Sequence, residues 1–471
     1  MTLSPATPDF IATLETALPA GTLSDAPDAY LREERGLIHG TAACLARPRS
    51  TQDVASIVRL CNQHRVGLIP YAGGTGLVGG QVAALAPAPV VLSVERMNAV
   101  RDIDTANNTL SVEAGAILAD VQTAADQAER LFPLSLASEG SCRIGGNLAT
   151  NAGGTQVLRY GNARDLCLGL EAVLPDGSIY HGLSGLRKDN TGFDLRNLLI
   201  GAEGALGVIT AATLKLYAKP ASIATALAVV PSPKAAVELL GLMQSQLDGL
   251  VSGFELIHGQ GLTFLSETMP DVRQPFASPP EWMVLIEVAG GQGARFDERL
   301  LEALEDTMES GLVLDVLIAQ NSQQAGEFWH LRESIPLANK AIGAISSHDI
   351  SVPISAIPAF IQMGFDGLGK LGDLRINCFG HVGDGNLHYN VYPAKGVARD
   401  GMMHLKPAIK QVVYDLVHEF GGSISAEHGI GRLKLDDLEK YGDPAKLAMM
   451  TRIKHALDPN GIMNPGVIIR S

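Results

Sequence analysis

Between Leu37 and about Tyr217 the chain alternates apolar, strand-like runs with three dense glycine clusters, and no other feature restricts its fold as much. The runs are VGLIP, PVVLSVE, TLSVEAGA, LCLGLEAVLPDG and ALGVITAATLKLYA. The clusters are PYAGGTGLVGG, ASEGSCRIGGNLATNAGGTQVLRYG and RKDNTGFDLRNLLIGAEGALGVIT, which begin at Pro70, Ala137 and Arg187. In the first, GTGLVG (Gly74 to Gly79) matches G-x-G-x-x-G, a fingerprint that requires the last glycine to open the helix of a βαβ unit. Pro87 and Pro89 leave only QVAALA for that helix before a strand begins at Val90, so the Rossmann arrangement fails on context. What survives is a strand feeding a loop whose backbone N–H groups, free of bulky neighbours, can close on a pyrophosphate. Three such clusters admit close backbone approach to a large, extended ligand. A dinucleotide fits that need.

Beyond the Lys219-Pro220 boundary the rhythm changes to strand, helix, strand, twice over. TALAVV, KAAVELLGLMQSQL and VSGFELI form one set; EWMVLIEVAG, FDERLLEALEDTMES and LVLDVLIA form the other. This predicts an antiparallel sheet with helices on one face, an α+β domain. The tail after Gly429 is helical and ends in the turn-rich DPNGIMNPG. At ~150 residues per domain the length implies two to three domains. The formal net charge of −14 disfavours nucleic acid or an anionic membrane surface as a partner. An anionic small substrate then needs a locally basic pocket. No stretch approaches the ~20 apolar residues of a membrane span, so no integral membrane segment is expected. MTLSPATPDF lacks the basic and apolar regions of a signal peptide. The five cysteines, Cys44, Cys61, Cys142, Cys167 and Cys378, form no CxxC pair, and a reducing cytoplasm is the expected compartment.

GHVGDGNLHYN (Gly380 to Asn390) gathers two histidines, an aspartate and two asparagines around a turn. Strand side chains alternate faces, so His381 and His388, seven residues apart, cannot aim at one ion from a continuous strand. GDGN is a strong turn signal between two strand-like flanks, RINCFGH and LHYNVYP, and a hairpin-like bend brings both imidazoles together. His388 and Asn390 share a face after the turn, as do Asn377, Phe379 and His381 before it. Alone, the motif reads as a polar turn with two surface histidines; the rest of the chain gives it weight.

Taken together, ARPRSTQDVASIVRLCNQHRVGLIPYAGGTGLVGG, GSCRIGGNLATNAGG, RKDNTGFDL, GHVGDGNLHYN, SAEHGIGRLK and DPNGIMNPG resemble, in order, the vanillyl-alcohol oxidase type (PCMH-type) of FAD-binding flavoprotein. Within it the chain is similar to the D-2-hydroxyacid dehydrogenase group, which includes D-2-hydroxyglutarate and D-lactate dehydrogenases. The resemblance implies an α+β fold: an N-terminal helical segment (1–36), a two-subdomain FAD-binding domain (37–218), a substrate or cap domain (219–425) and a C-terminal helical segment (426–471) that completes the FAD domain. Many relatives link flavin through a His or Cys in the first glycine loop. Tyr71 to Gly80 contains neither, so noncovalent FAD is expected.

Carried over residue by residue, the resemblance implies an FAD site. Its first loop supplies Pro70, Ala72, Gly73, Gly74, Thr75, Gly76, Leu77 and Gly79. The second cluster supplies Ser138, Gly140, Gly145, Gly146, Asn147, Thr150, Asn151, Gly153, Gly154, Tyr160 and Gly161, and the third Glu203, Gly204, Gly207 and Ile209, with Asn464 from the tail. It also implies His381, His388 and Glu427 as ligands of a divalent metal, with zinc expected. Two imidazoles and a carboxylate leave a coordination position open, the catalytic pattern. His428 is the implied general base, Arg332 in FWHLRESIP the carboxylate clamp, and Asn390 a substrate hydrogen-bonding group. The implied reaction oxidises a D-2-hydroxyacid to the 2-oxoacid by hydride transfer to flavin N5, with an electron-transfer flavoprotein or quinone-linked carrier as acceptor and a homodimer as assembly. D-2-hydroxyglutarate is the first expected substrate, D-lactate or D-malate the next.

Two positions depart from the hydroxyglutarate pattern: Pro336 and Ser347 stand where such relatives carry a hydroxyl residue and a lysine. Pro336 is also expected to disturb its helix. Lys340 offers a substitute cation, although a solvated lysine on a helix face is its ordinary reading. His258 and His348 read as surface or satisfied histidines, Cys142 and Cys378 as small apolar fillers, and Trp329 as cap packing. Two other function classes fit parts of the pattern: a metal-dependent hydrolase of a nucleotide-containing substrate, which predicts a colourless protein, and a flavin-binding protein without catalysis, which predicts a yellow one that no hydroxyacid bleaches.

Overall fold

The apolar runs of the first half become strands, and their neighbours in the sheets explain why they are apolar. The computed structural model describes residues 2–247, 249–291 and 296–470. Contacts divide the chain into two units: Met1–Gly153, Gly161–Lys219 and Glu427–Ser471 form one, Gly154–Tyr160 and Pro220–Ala426 the other.

In the first unit a small sheet runs in the order Leu23–Ser24, Cys44–Ala46, Val90–Ser93, Leu68–Tyr71, the last three strands parallel. Helix Thr51–His64 joins two of them. Ser50 caps it by accepting from the Asp53 N–H, Val54, Ile57, Val58 and Cys61 form its buried stripe, and Arg65 ends it in the left-handed conformation. A second, antiparallel sheet runs Val100–Asp104, Thr109–Glu113, Val208–Lys215, Cys167–Val173, Ile179–Gly182. Cys167–Val173 is buried along its whole length, its one charged residue, Glu171, accepting hydrogen bonds from the hydroxyls of Thr51 and Thr210. No helix follows the first glycine cluster before Val90–Ser93. The tail folds as helices Leu435–Tyr441 and Pro444–Leu457, and then Met463 bridges in parallel to Leu68. The Leu68 N–H donates to the Ile462 carbonyl and the Asn464 N–H to that of Leu68, so the last segment lies along the strand that feeds the first glycine loop.

The second unit is built on a seven-stranded antiparallel sheet. Its order is Asp315–Ile318, Ser222–Val230, Trp282–Gly290, Val251–His258, Leu374–His381, Asn386–Pro393, Ser346–Ser351. Helices cover both faces rather than one. Gly259–Thr268 and Ser322–Ile342 pack Leu262, Phe264, Leu331 and Ile335 onto Ile257, Met283, Leu285 and Phe379. On the opposite face Phe360 and Phe365 of helix Ile357–Gly369 meet Tyr389, and Tyr414 of Lys406–Glu419 meets His348. The reason is visible in Ser222–Val230 and Trp282–Gly290, whose side chains are buried on both sides and need two covering layers. Helix Ser322–Ile342 runs unbroken through Pro336. The ring sits on the exposed side, while Leu331, Arg332, Ile335 and Ala338 hold the buried side in place. Among the described residues no helix is long and apolar enough to cross a membrane.

Candidate active site

In the first unit the three glycine clusters wall one cavity of about 570 Å³. Its geometry explains the residue type. A Cβ on Gly73 would lie 2.6 Å from the Ser141 carbonyl oxygen and 2.9 Å from the Cys142 Cα, so the first and second clusters touch backbone to backbone. Gly74 has φ +75°, and a Cβ there would strike the Tyr71 hydroxyl. Gln81 braces the loop from behind, its Nε2 donating to the carbonyls of Gly74 (3.1 Å) and Gly76 (2.7 Å). A lining largely of backbone and small side chains leaves room for an extended, many-atom ligand, and its N–H groups suit a phosphate bridge. The residues present therefore fit FAD.

Of the residues expected at this cavity, most line it; Gly79, Gly140, Asn151, Gly154, Tyr160 and Gly161 do not. Gly79 and Gly161 turn the chain with φ +71° and +79° against Ile38 and Asp165. Asn151 uses its Oδ1 to accept from the Arg164 N–H, and a Cβ on Gly140 would point into open space. Gly154 and Tyr160 belong to the other unit. Tyr71, Gln81 and Arg143 line the wall without having been singled out in the sequence, because only the folded backbone turns them inward.

His428 and Glu427 line this same cavity. Their segment is anchored by Glu203, whose two carboxylate oxygens accept from the N–H groups of Ile430 and Gly431, both at 2.7 Å. Burial raises the Glu203 carboxyl to about 7, against the pull of those two N–H groups and of Lys434 and Arg432. Asn464 donates from Nδ2 to the carbonyls of Gly80 (3.0 Å) and Glu203 (2.7 Å). Arg432 completes the brace: Nη1 donates to the carbonyls of Gly79, Gly80 and Val82, and Nη2 to Asn464 Oδ1 and the Pro465 carbonyl. Glu203 and Asn464 thus hold the walls as well as line them. Arg432 carries no sequence signal beyond its place after the AEHGIG motif. Cys142 lies buried in the wall, its thiol pushed up by burial, in keeping with an inert filler.

In the second unit the GDGN turn does what the spacing requires. Val382–Asp384 forms a single 3-10 turn, Gly385 follows at φ +83°, and the strands pair Phe379 with His388 and Asn377 with Asn390. The rings of His381 and His388 come to 5.5 Å between centroids, inclined at 81°. Two imidazoles so placed can present one nitrogen each to a single ion, so this half of the donor set fits a divalent metal. Behind His381 stands Glu255 on the adjacent strand, its register partner. Glu255 Oε1 lies 2.5 Å from His381 Nδ1, and Oε2 accepts from Arg332 Nε (2.9 Å) and Nη2 (2.7 Å). Burial opposes its ionisation, but His381 and Arg332 outweigh burial and hold the carboxyl down at about 2. The Arg332 guanidinium also lies over the Phe379 ring at 4.9 Å.

Asn390 faces the same side as His388, flanked in register by Asn377 and Ser347. Asn386 Nδ2 donates to Asp349 Oδ1 (2.9 Å), behind His388. Lys340 is exposed. Trp329 packs on Gly253 and donates to Glu287, while His258 is half-buried against Trp282 and Phe365, with desolvation lowering it to about 4. His348 is buried.

Comparisons with known proteins agree with this construction. Residues 219–468 match the family described as FAD linked oxidases, C-terminal domain, and residues 42–182 match the FAD binding domain. The chain is 37% identical over 427 residues to the mitochondrial D-2-hydroxyglutarate dehydrogenase of Arabidopsis thaliana, covering 90% of this chain and 75% of that one. It is 38% identical over 432 residues to the mitochondrial enzyme of that name from Danio rerio (91% and 78%). With the D-2-hydroxyglutarate dehydrogenase of Xanthomonas citri pv. viticola the figures are 35% over 467 residues (98% and 97%). Among solved structures, p-cresol methylhydroxylase with substrate bound aligns at a TM-score of 0.77 and 16% identity (100% and 99% covered). Alkyldihydroxyacetonephosphate synthase aligns at 0.73 and 17% (99% and 86%), and these two likenesses speak to the fold.

Proposed function

Because the chain belongs to the FAD-linked oxidases, as an FAD-dependent oxidoreductase among relatives named D-2-hydroxyglutarate dehydrogenase, we propose that it oxidises a D-2-hydroxyacid to the 2-oxoacid. D-2-hydroxyglutarate is the first choice of substrate, D-lactate or D-malate the next. One observation supports the reading: His428 lines the same cavity as the glycine clusters, which puts an imidazole beside the cradle proposed for the flavin.

Bound noncovalently, FAD supplies the acceptor for the hydride that leaves the substrate's α-carbon. His381, His388 and Glu427 would hold a divalent ion, zinc first, which would supply Lewis acidity toward the substrate hydroxyl. His428 takes the hydroxyl proton, a task that suits an imidazole. Arg332 receives the substrate carboxylate. Glu255 occupies its Nε–Nη2 edge, which leaves the Nη1–Nη2 edge for the second fork. Asn390 hydrogen-bonds the substrate from the strand face of His388. On a chain of net charge −14, the guanidinium edge that Glu255 leaves open is the donor pair offered to an anionic substrate.

The FAD contacts are proposed for the clustered residues named above, and the domain limits at 37–218 and 219–425 stand as proposals with them. An electron-transfer flavoprotein or quinone-linked carrier is proposed as acceptor, a homodimer as the assembly, and a reducing compartment such as the cytoplasm as the location. All five cysteines are buried and unpaired, which supports the last point. The test is steady-state turnover with a dye acceptor across D-2-hydroxyglutarate, D-lactate, D-malate and the L-acids, together with heat release of the flavin. D-selective turnover and full release are expected. A colourless protein that cleaves a nucleotide substrate would replace this reading with the metal hydrolase.

A further inference from the structure

Glu255 is fully buried, yet its carboxylate touches both ends of the proposed chemistry in the second unit. One oxygen meets Nδ1 of His381; the other takes two hydrogen bonds from Arg332. We infer that Glu255 is a positioning residue that couples the substrate clamp to the metal ligand, so that carboxylate binding at Arg332 and metal binding at His381 depend on each other. The inference rests on the function proposed above.

Two geometric consequences follow from one carboxylate serving two donors. On the imidazole side, an acceptor at Nδ1 fixes the proton there and leaves Nε2 as the lone-pair nitrogen; partners of this kind orient metal-ligating histidines and raise their basicity. On the guanidinium side, Oε2 and the Phe379 ring lock the plane of Arg332, which fixes the direction of its free edge. The carboxylate's charge is shared between the two. When a substrate carboxylate competes for the guanidinium, more of that charge falls on the imidazole, and Nε2 becomes a better donor.

Glu255→Gln separates this coupling from a packing role. A carboxamide keeps the shape but has one acceptor atom and one NH₂ group, so either His381 Nδ1 or Arg332 must face a donor. If His381 does, its proton moves to Nε2, the nitrogen a metal needs. Flavin-loaded protein is titrated with zinc against a chromophoric chelator, and KM and kcat for D-2-hydroxyglutarate are measured on the same samples. Glu255→Gln is expected to weaken zinc binding ~10–100-fold, the range for loss of such a partner, and to raise KM more than it lowers kcat, with flavin content unchanged. Arg332→Met keeps the Glu255–His381 pair and serves if Glu255→Gln does not fold. It touches no ligand position, yet zinc affinity should shift at least threefold. Wild-type zinc affinity and KM in folded Glu255→Gln, or wild-type zinc affinity in Arg332→Met, overturns the coupling. A wild-type protein that binds no divalent ion overturns the metal assignment itself, an outcome visible before any variant is made.

Discussion

The two units build their parts of the chemistry from different materials. The first holds its cavity with backbone: glycines that bring strands of loop into contact, and carbonyls gathered by Gln81 and Arg432. The second builds with side chains on a sheet face, where Glu255, Arg332 and His381 satisfy one another. Backbone sites tolerate changes in composition but not in volume. Side-chain sites tolerate volume changes better than the loss of one charge, because a buried partner is then left unpaired.

Substitutions can break that contrast. The largest effect is expected from His428→Ala, which should lower the rate of flavin reduction by ~10²–10⁴-fold, the usual contribution of a positioned base, while flavin content stays normal. Stopped-flow reduction measures it. Next is Arg332→Lys. A lysine has the charge but not the fork, and a drop of ~10²-fold in kcat/KM is expected, mostly through KM. Gly73→Ala should act on the cofactor instead. Its methyl meets backbone atoms of Ser141 and Cys142, which cannot swing aside. A cost of about 1–3 kcal/mol is expected, read as weaker FAD retention on dilution at nearly unchanged kcat.

The smallest effect concerns pH. Glu203 holds its proton more tightly in the folded protein, near 7 against an ordinary 4.5. Between those values the unfolded chain carries fewer protons than the folded one, so stability falls as pH rises through the window. Denaturant melts of Glu203→Gln from pH 4.5 to 7 should be flatter than wild type. An unchanged slope would mean that the two N–H groups from Ile430 and Gly431 keep Glu203 ionised throughout.

Much of the first unit was legible because glycine at a close approach is a local signal, and three clusters repeat it. The same signal overreached at Gly79 and Gly161, where glycine serves a left-handed turn and not the cavity. The residue type reports the backbone conformation, not what lies beside it. The histidine hairpin was legible too, since strand alternation plus a turn dictates where His381 and His388 go. Glu255 was not, because it lies 126 residues from His381 and 77 from Arg332 and sits in an ordinary strand, VSGFELI. Only the pairing of Val251–His258 with Leu374–His381 puts it there. Arg432 was hidden for a similar reason, its acceptors being carbonyls with no side-chain signature. The second covering layer of the large sheet escaped the strand-helix-strand rhythm, which counts helices without saying which face each one covers.

The measurement that bears most directly on the account is the visible spectrum of the purified protein under anaerobic conditions, before and after D-2-hydroxyglutarate, with D-lactate and the L-acids as comparisons. A metal-assisted D-2-hydroxyacid dehydrogenase shows a flavin spectrum that bleaches with a D-acid, stays oxidised with the L-enantiomers, and no longer bleaches after chelation. A flavin spectrum indifferent to every hydroxyacid would contradict it.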